Sequence, residues 1–252
     1  MVRVLEPEVM ESAEEARAYD ELDRIWGDVL FQGFAESAMR MGVVEGRVID
    51  VGCGPGRISV RLAMLNPKFE INGIDLSRNM LSVAEENATR AGVSSRTHFS
   101  HGDAKEIPFP DGTFDLAICH NFLHQLPEPI VALREINRVT KRSGAILVRD
   151  VWRLPKPALA LLLPLYCIGY SPILRRLTYD SYYAGMSYSE FGEMAREAGI
   201  EGARLRRYTI THIGIERPAS PFKILPPLQK KKAVSIREAL FKPLYLTSLH
   251  PH

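Results

Sequence analysis

An α/β fold, a parallel sheet covered by helices on both faces, is predicted by three observations. Short apolar runs alternate with longer helical patterns along residues 47–151. The first run enters a glycine-rich turn, VIDVGCGPGRIS (48–59), that leads straight into a helical pattern. The second run ends about twenty residues later in a carboxylate, Asp75.

The elements follow in order. Residues 11–42 carry helical spacing, with Ala16, Tyr19, Leu22, Ile25, Trp26, Val29, Leu30, Phe34 and Ala38 on one stripe behind a capping Ser12. The strand-like runs are 47–51, 70–74, 96–100, 114–119 and 145–151, and the helical patterns between them are 58–65, 77–91 and 129–141. Ser77 caps the second of these helices and Gly92 stops it. The rhythm breaks at Trp152, where an apolar, proline- and tyrosine-rich insert runs to 187. A helix at 189–198 and an alternating stretch at 203–216, one bent strand or two, come next. This divides the chain into an N-terminal helical extension (1–44), a ligand-binding core (45–152), an apolar cap (153–187), the rest of the core (188–217) and a basic tail (218–252).

Composition narrows the function classes. A chain of 252 residues with net charge +2 suits one α/β domain with additions and does not point to nucleic acid as the main partner. Cys53, Cys119 and Cys167 form no C-x-x-C pair and no even framework, which fits a reducing compartment. The acidic N-terminus has no apolar core of a secretory signal, so a cytoplasmic protein is expected. The seven histidines are scattered, and no metal site is expected.

The turn itself selects the ligand. Ligands of open parallel sheets sit at the carboxyl ends of the strands, and Gly52 and Gly54 permit positive φ and close backbone approach. With Gly56 the spacing is G-x-G-x-G, and Arg57 stands where the dinucleotide fingerprint has its third glycine. Asp75 suits a ribose diol in either kind of ligand. Asp50 places a charge before the glycines that is unfavourable beside a pyrophosphate and favourable for an ammonium. After the third run, Gly102, Asp103 and Ala104 put a carboxylate where an adenine amino group can be received. S-adenosylmethionine, with adenine, ribose diol and ammonium but no diphosphate, fits that description.

VIDVGCGPGR, GIDLS, GDAKEIPFPDGTFDLAICHNFLHQLPEP and the helix that follows resemble the class I S-adenosylmethionine-dependent methyltransferases. The nearest branch is the small-molecule group with the ubiquinone and menaquinone C-methyltransferases. The likeness covers residues 45–151 in order and spacing, and 189–217 resembles the last helix and strands of that fold. It implies a seven-stranded Rossmann-like sheet with a helical N-terminal extension and an inserted helical cap. It also implies that Gly52, Cys53, Gly54, Gly56 and Arg57 form the cofactor loop, whose glycine backbone holds the methionine part. Asp50 then lies near the ammonium, directly or through water, and Asp75 takes both ribose hydroxyls. Leu76 packs on the adenine, Asp103 and Ala104 meet its edge, and His120 and Asn121 line the methionine side.

Methyl transfer from a sulfonium is an in-line displacement, for which positioning and water exclusion supply much of the rate. A general base is needed only where the acceptor loses a proton. Its candidates are His120 and His124 in CHNFLHQL, and Tyr179 and Tyr183, with Tyr182 between them, in YDSYYAGMSY. Arg149 and Asp150, at the end of the fifth run, are expected either to face the cleft and bind a polar acceptor or to form an ion pair. CHNFLHQL replaces the Asn-Pro-Pro-Tyr motif of amino-methylating enzymes, which turns the expectation away from nucleobase amines.

The uncharged stretch PALALLLPLYCIGYSPIL (157–174) is broken by prolines and reads as a lid over an apolar acceptor, or else as a dimer or membrane-surface contact. Tyr19 and Trp26 are placed to close the cleft from the other side. The basic tail is a second candidate for a membrane surface, or simply a solvated face. The expected activity is methyl transfer from S-adenosylmethionine to a small apolar or aromatic metabolite, by a monomer or homodimer. The alternatives are a protein that binds S-adenosylmethionine or S-adenosylhomocysteine without transfer, and an RNA or protein methyltransferase.

Overall fold

The computed structural model describes residues 3–7, 9–10, 12–27 and 30–223. Most of the basic tail therefore lies outside the described residues.

Two helices lead, α1 (Ala13–Trp26) and α2 (Phe31–Met39). The sequence pattern across 11–42 is continuous, yet the chain turns between them. Gly27 sits so close to the Asp23 carbonyl and the Arg61 guanidinium that no Cβ fits there. Ser12 caps α1 in a full capping box with Glu15.

The alternating core follows as β1 (Gly46–Val51), α3 (Arg57–Leu65), β2 (Phe69–Asp75), α4 (Arg78–Arg90), β3 (Thr97–His101), β4 (Phe114–His120), α5 (Pro129–Val139) and β5 (Thr140–Val151). Strand β5 begins five residues before its apolar run, because its polar start continues straight out of α5. The insert folds as α6 (Lys156–Tyr166) and α7 (Pro172–Ala184). The chain then forms α8 (Tyr188–Glu197), β6 (Arg204–Arg207) and β7 (His212–Arg217), so 203–216 holds two strands.

The seven strands form one sheet in the order β3-β2-β1-β4-β5-β7-β6. All pairs are parallel except those of β7, which runs antiparallel to β5 and β6. Alternate residues feed two cores. Val48, Ile118 and Leu147 meet α2 and α3 on one face, and Ile49, Ala117 and Ile146 meet α5 and α8 on the other. The strand order reverses between β1 and β4, which places a crevice at their carboxyl ends. Because β7 is antiparallel, its first residue, His212, lies at that same edge beside Val151. Among the described residues no helix is long and apolar enough to cross a membrane.

Candidate functional site

The carboxyl ends of β1, β2 and β4 converge on a cavity of about 700 Å³, counting its open mouth. Its lining includes Asp50, Gly52, Cys53, Gly54, Arg57, Asp75, Leu76, His120 and Asn121. The glycine turn is held by backbone bonds: the Gly52 and Cys53 N–H groups both donate to the Ile74 carbonyl at 3.0 Å. The Gly54 N–H donates to Asp75 Oδ2 at 2.9 Å, and the Ser77 N–H to Oδ1 at 2.8 Å. Gly54 has φ +50°, and a Cβ there would meet no atom within 4 Å, so its backbone faces open space. At Gly52, φ +67°, a Cβ would strike the Phe122 ring. Gly56 serves packing: a Cβ would come within 2.8 Å of Ala84 and Phe99, and this glycine is absent from the cavity lining.

Asp50 is 2% exposed, and its carboxylate accepts a hydrogen bond from Ser59 Oγ at 2.7 Å. Burial raises its pKa to about 7, with Asp75 adding to the rise against the pull of Ser59. Burial also raises Asp75, and the Ser77 and Gly54 amides oppose this. Asn121, the one non-glycine with positive φ (52°) among the described residues, leaves its Oδ1 buried without a hydrogen-bond partner. Arg57, at the head of α3, pairs with Asp20 and Asp23 of α1 and so ties that helix over the turn.

Comparison with known proteins settles the family. Residues 44–169 match a family described as a methyltransferase domain. A demethylmenaquinone methyltransferase of Staphylococcus aureus is 31% identical over 77% of this chain and 85% of its own length. The chain belongs to the class I S-adenosylmethionine-dependent methyltransferases. Two solved structures share the fold. One is a candidate S-adenosyl-L-methionine-dependent methyltransferase of Methanococcus maripaludis (TM-score 0.65, 23% identity, 86% of this chain and 97% of that one). The other is phosphoethanolamine N-methyltransferase 2 of Haemonchus contortus in complex with S-adenosyl-L-methionine (TM-score 0.60, 20% identity, 79% of this chain and 44% of that one).

In this methyltransferase the Gly102 N–H donates to the Asp75 carbonyl, so the GDA loop hangs beside the loop that carries Leu76. Asp103 and Ala104 nevertheless stand outside the cavity lining. Asp103 accepts the Lys105 N–H at 2.8 Å, and Ala104 is buried in the core under α5.

A second cavity, about 410 Å³ by the same measure, adjoins the first and shares Tyr19 and Asn121 with it. Its walls are Leu22 and Leu30 from the N-terminal helices, Tyr166, Leu177, Thr178, Ser181 and Tyr182 from the insert, and His124, Val151 and His212. Tyr166 stacks on Trp26, with ring centroids 5.0 Å apart and planes 6° apart, and Trp26 Nε1 donates to Tyr170 Oη at 2.5 Å. Trp26 thus pins the insert onto α1 and lines neither cavity.

Several expected roles are corrected by this geometry. His124 is 1% exposed and clamped between two carboxylates, Asp150 on Nδ1 and Glu6 at 2.9 Å from Nε2. Burial alone would lower its pKa, but Asp150 and then Glu6 raise it to about 10. An imidazolium with a carboxylate beside each nitrogen has no free lone pair to act as a general base. Asp150 is wholly buried in that clamp, and Arg149 lies between the Phe34 and Tyr208 rings with a bond to Ser37 Oγ. Neither faces the cleft to receive an acceptor. Tyr179 and Tyr183 line neither cavity, whereas Tyr182 does. His120 does line the first cavity, edge-on to Phe34 at 4.6 Å. Burial and the Arg149 charge lower its pKa well below the usual value, so it is neutral.

Two features escape sequence reasoning. An N-terminal strap lies along the site: Arg3 donates to the His124 and Leu126 carbonyls, Glu6 meets His124, and the Met10 carbonyl accepts Ser77 Oγ at 2.7 Å. The other is His212, brought to the site only by the antiparallel entry of β7. Neither carries a motif, since their partners are far away in sequence.

Proposed function

We propose that the methyltransferase holds S-adenosylmethionine in the first cavity and transfers its methyl group to a small apolar or aromatic acceptor in the second. One observation carries this reading: the two cavities meet at Tyr19 and Asn121, with carboxylates on one side and an aromatic and aliphatic chamber on the other.

The cofactor fits the residues present. The open face of Gly54 gives the backbone approach the methionine part needs. The buried Asp50 carboxylate and the unpartnered Asn121 Oδ1 match an ammonium, and its charge would offset the cost of ionising a buried acid. Each Asp75 oxygen holds one backbone N–H and keeps a lone pair for a ribose hydroxyl. Leu76 lies beside it for the adenine face. The bound cofactor supplies a methyl carbon activated by a sulfonium. The chain's own work is orientation and exclusion of water by the strap and the insert.

The acceptor class rests on the chamber's lining and on the relative named for demethylmenaquinone, which favours a small greasy ring compound. The three cysteines, free and buried, support a cytoplasmic setting. Transfer of labelled methyl from S-adenosylmethionine to a panel of hydroxylated naphthalenes, phenols and small amines tests the reading. Label in the apolar ring compounds is the expected outcome. Label confined to RNA or protein, with none in any small acceptor, would contradict it.

A further inference from the structure

His120 and His212 form a pair across the floor of the site. Their rings lie nearly parallel, 11° apart with centroids 6.1 Å apart, and each leaves a buried Nε2 with no hydrogen-bond partner. His120 lines the first cavity and His212, 3% exposed, the second. A buried, unsatisfied ring nitrogen is costly unless a ligand completes it. His120 is packed edge-on against Phe34 and Phe31 on the donor side. His212 is the one that faces the acceptor chamber. Its Nδ1 lies 2.9 Å from Thr211 Oγ1 and 3.3 Å from Thr209 Oγ1, which fixes the ring plane.

We propose that His212 Nε2 binds the nucleophilic hydroxyl of the acceptor and takes its proton during methyl transfer. This rests on reading the second cavity as the acceptor site. In the tautomer whose Nδ1–H donates to Thr211 Oγ1, the buried Nε2 keeps a bare lone pair at the chamber wall. As the hydroxyl proton passes to Nε2, the electron pair left on the acceptor forms the new bond to the methyl carbon. The pair of the breaking carbon–sulfur bond stays on sulfur as a neutral thioether. Burial and the neighbouring Arg149 lower the His212 pKa to about 4, so the ring is neutral and unprotonated when the acceptor arrives.

The experiment uses 2-naphthol as probe with the full chain, the wild type beside His212→Gln, His212→Phe and Thr211→Val. Gln places an amide near the position of Nε2, so naphthol affinity should stay within about threefold, while Phe should weaken it about tenfold. With 2-naphthol as methyl acceptor, His212→Gln should keep KM near wild type and lower kcat by about 10²-fold, the loss expected of a missing general base. Thr211→Val should lower kcat less. S-adenosylmethionine affinity, measured by calorimetry on the same samples, should not move in any variant. Equal naphthol affinity in wild type and His212→Phe, or kcat unchanged in His212→Gln, would overturn the role of His212. Absence of naphthol binding to the wild type would overturn it too. Failure of the wild type to bind S-adenosylmethionine would instead overturn the reading of the first cavity.

Discussion

The Glu6 carboxylate lies 2.9 Å from His124 Nε2, joining the N-terminal strap to the turn that follows β4. Asp150 holds the other ring nitrogen, so a single buried imidazolium fastens three segments distant in sequence. Its folded pKa is raised from 6.5 to about 10. Stability gained from the proton is therefore complete below about pH 6.5 and is lost as pH rises through about 10. Asp50, His120 and His212 titrate at or below about 7. Burial raises the pKa values of the buried cysteines and tyrosines, so those groups weaken the fold only above about pH 8, and the window from about pH 7 to 8 belongs to His124. Thermal unfolding of the wild type should weaken steadily from about pH 7 to 10. His124→Gln should be less stable by about 3–5 kcal/mol near neutrality, as expected when buried carboxylates lose their counter-charge, and should lack the decline between about pH 7 and 8. Parallel curves for the two proteins would count against the clamp.

Asp50 has its pKa raised to about 7, and in the proposed function it faces the ammonium of the cofactor. The cation favours the carboxylate, so binding expels a proton at pH values near and below 7. Affinity for S-adenosylmethionine should climb with pH up to about 7 and then level off. Calorimetry at a mildly acidic pH in two buffers of different ionisation enthalpy measures the proton released. Asp50→Asn should abolish both the release and the climb. A wild type that releases no proton would place the ammonium elsewhere.

Gly52 and Gly54 have similar positive φ but different surroundings. At Gly54 an alanine meets no neighbour, so it costs about 1–2 kcal/mol of backbone strain and puts a methyl group into the space proposed for the cofactor. At Gly52 the methyl group also strikes the Phe122 ring, and the loss of stability should be larger. Denaturant unfolding should therefore rank Gly52→Ala below Gly54→Ala, with Phe122→Ala recovering part of the Gly52→Ala loss. Equal losses in both variants, with no recovery, would remove the role given to Phe122.

Tyr166 lines the second cavity, the proposed acceptor chamber, and not the first. Tyr166→Ala should raise the acceptor KM roughly tenfold or more, as loss of a buried aromatic wall implies, with cofactor affinity unchanged. Steady-state kinetics and calorimetry on one sample separate the two. A matching loss of cofactor affinity would merge the cavities into one site.

Much of this site is legible in the sequence because buried parallel strands are written as local apolar runs. The carboxylates that end β1 and β2 fall where the topology needs them, and Ser77 announces α4 by its capping position. The first residues of β5 are not legible, since Lys141, Arg142 and Ser143 are polar. What stays hidden depends on partners remote in the chain. Glu6 becomes meaningful only beside His124, and His212 only where β7 runs antiparallel against β5. His124 looks like a base in CHNFLHQL because Asp150 and Glu6 cannot be seen from that segment.

The central claim is that the cavity at the ends of β1, β2 and β4 is an S-adenosylmethionine site hung on Asp75. Calorimetry of the wild type and Asp75→Ala with S-adenosylmethionine and with NAD tests it most directly. Two hydrogen bonds to a charged acceptor, each about 1.5–3 kcal/mol, imply a loss of roughly 10²-fold or more in Asp75→Ala. The account expects one S-adenosylmethionine per chain, that loss in the variant, and no NAD binding. NAD binding without S-adenosylmethionine binding, or equal S-adenosylmethionine affinity in both proteins, would contradict it.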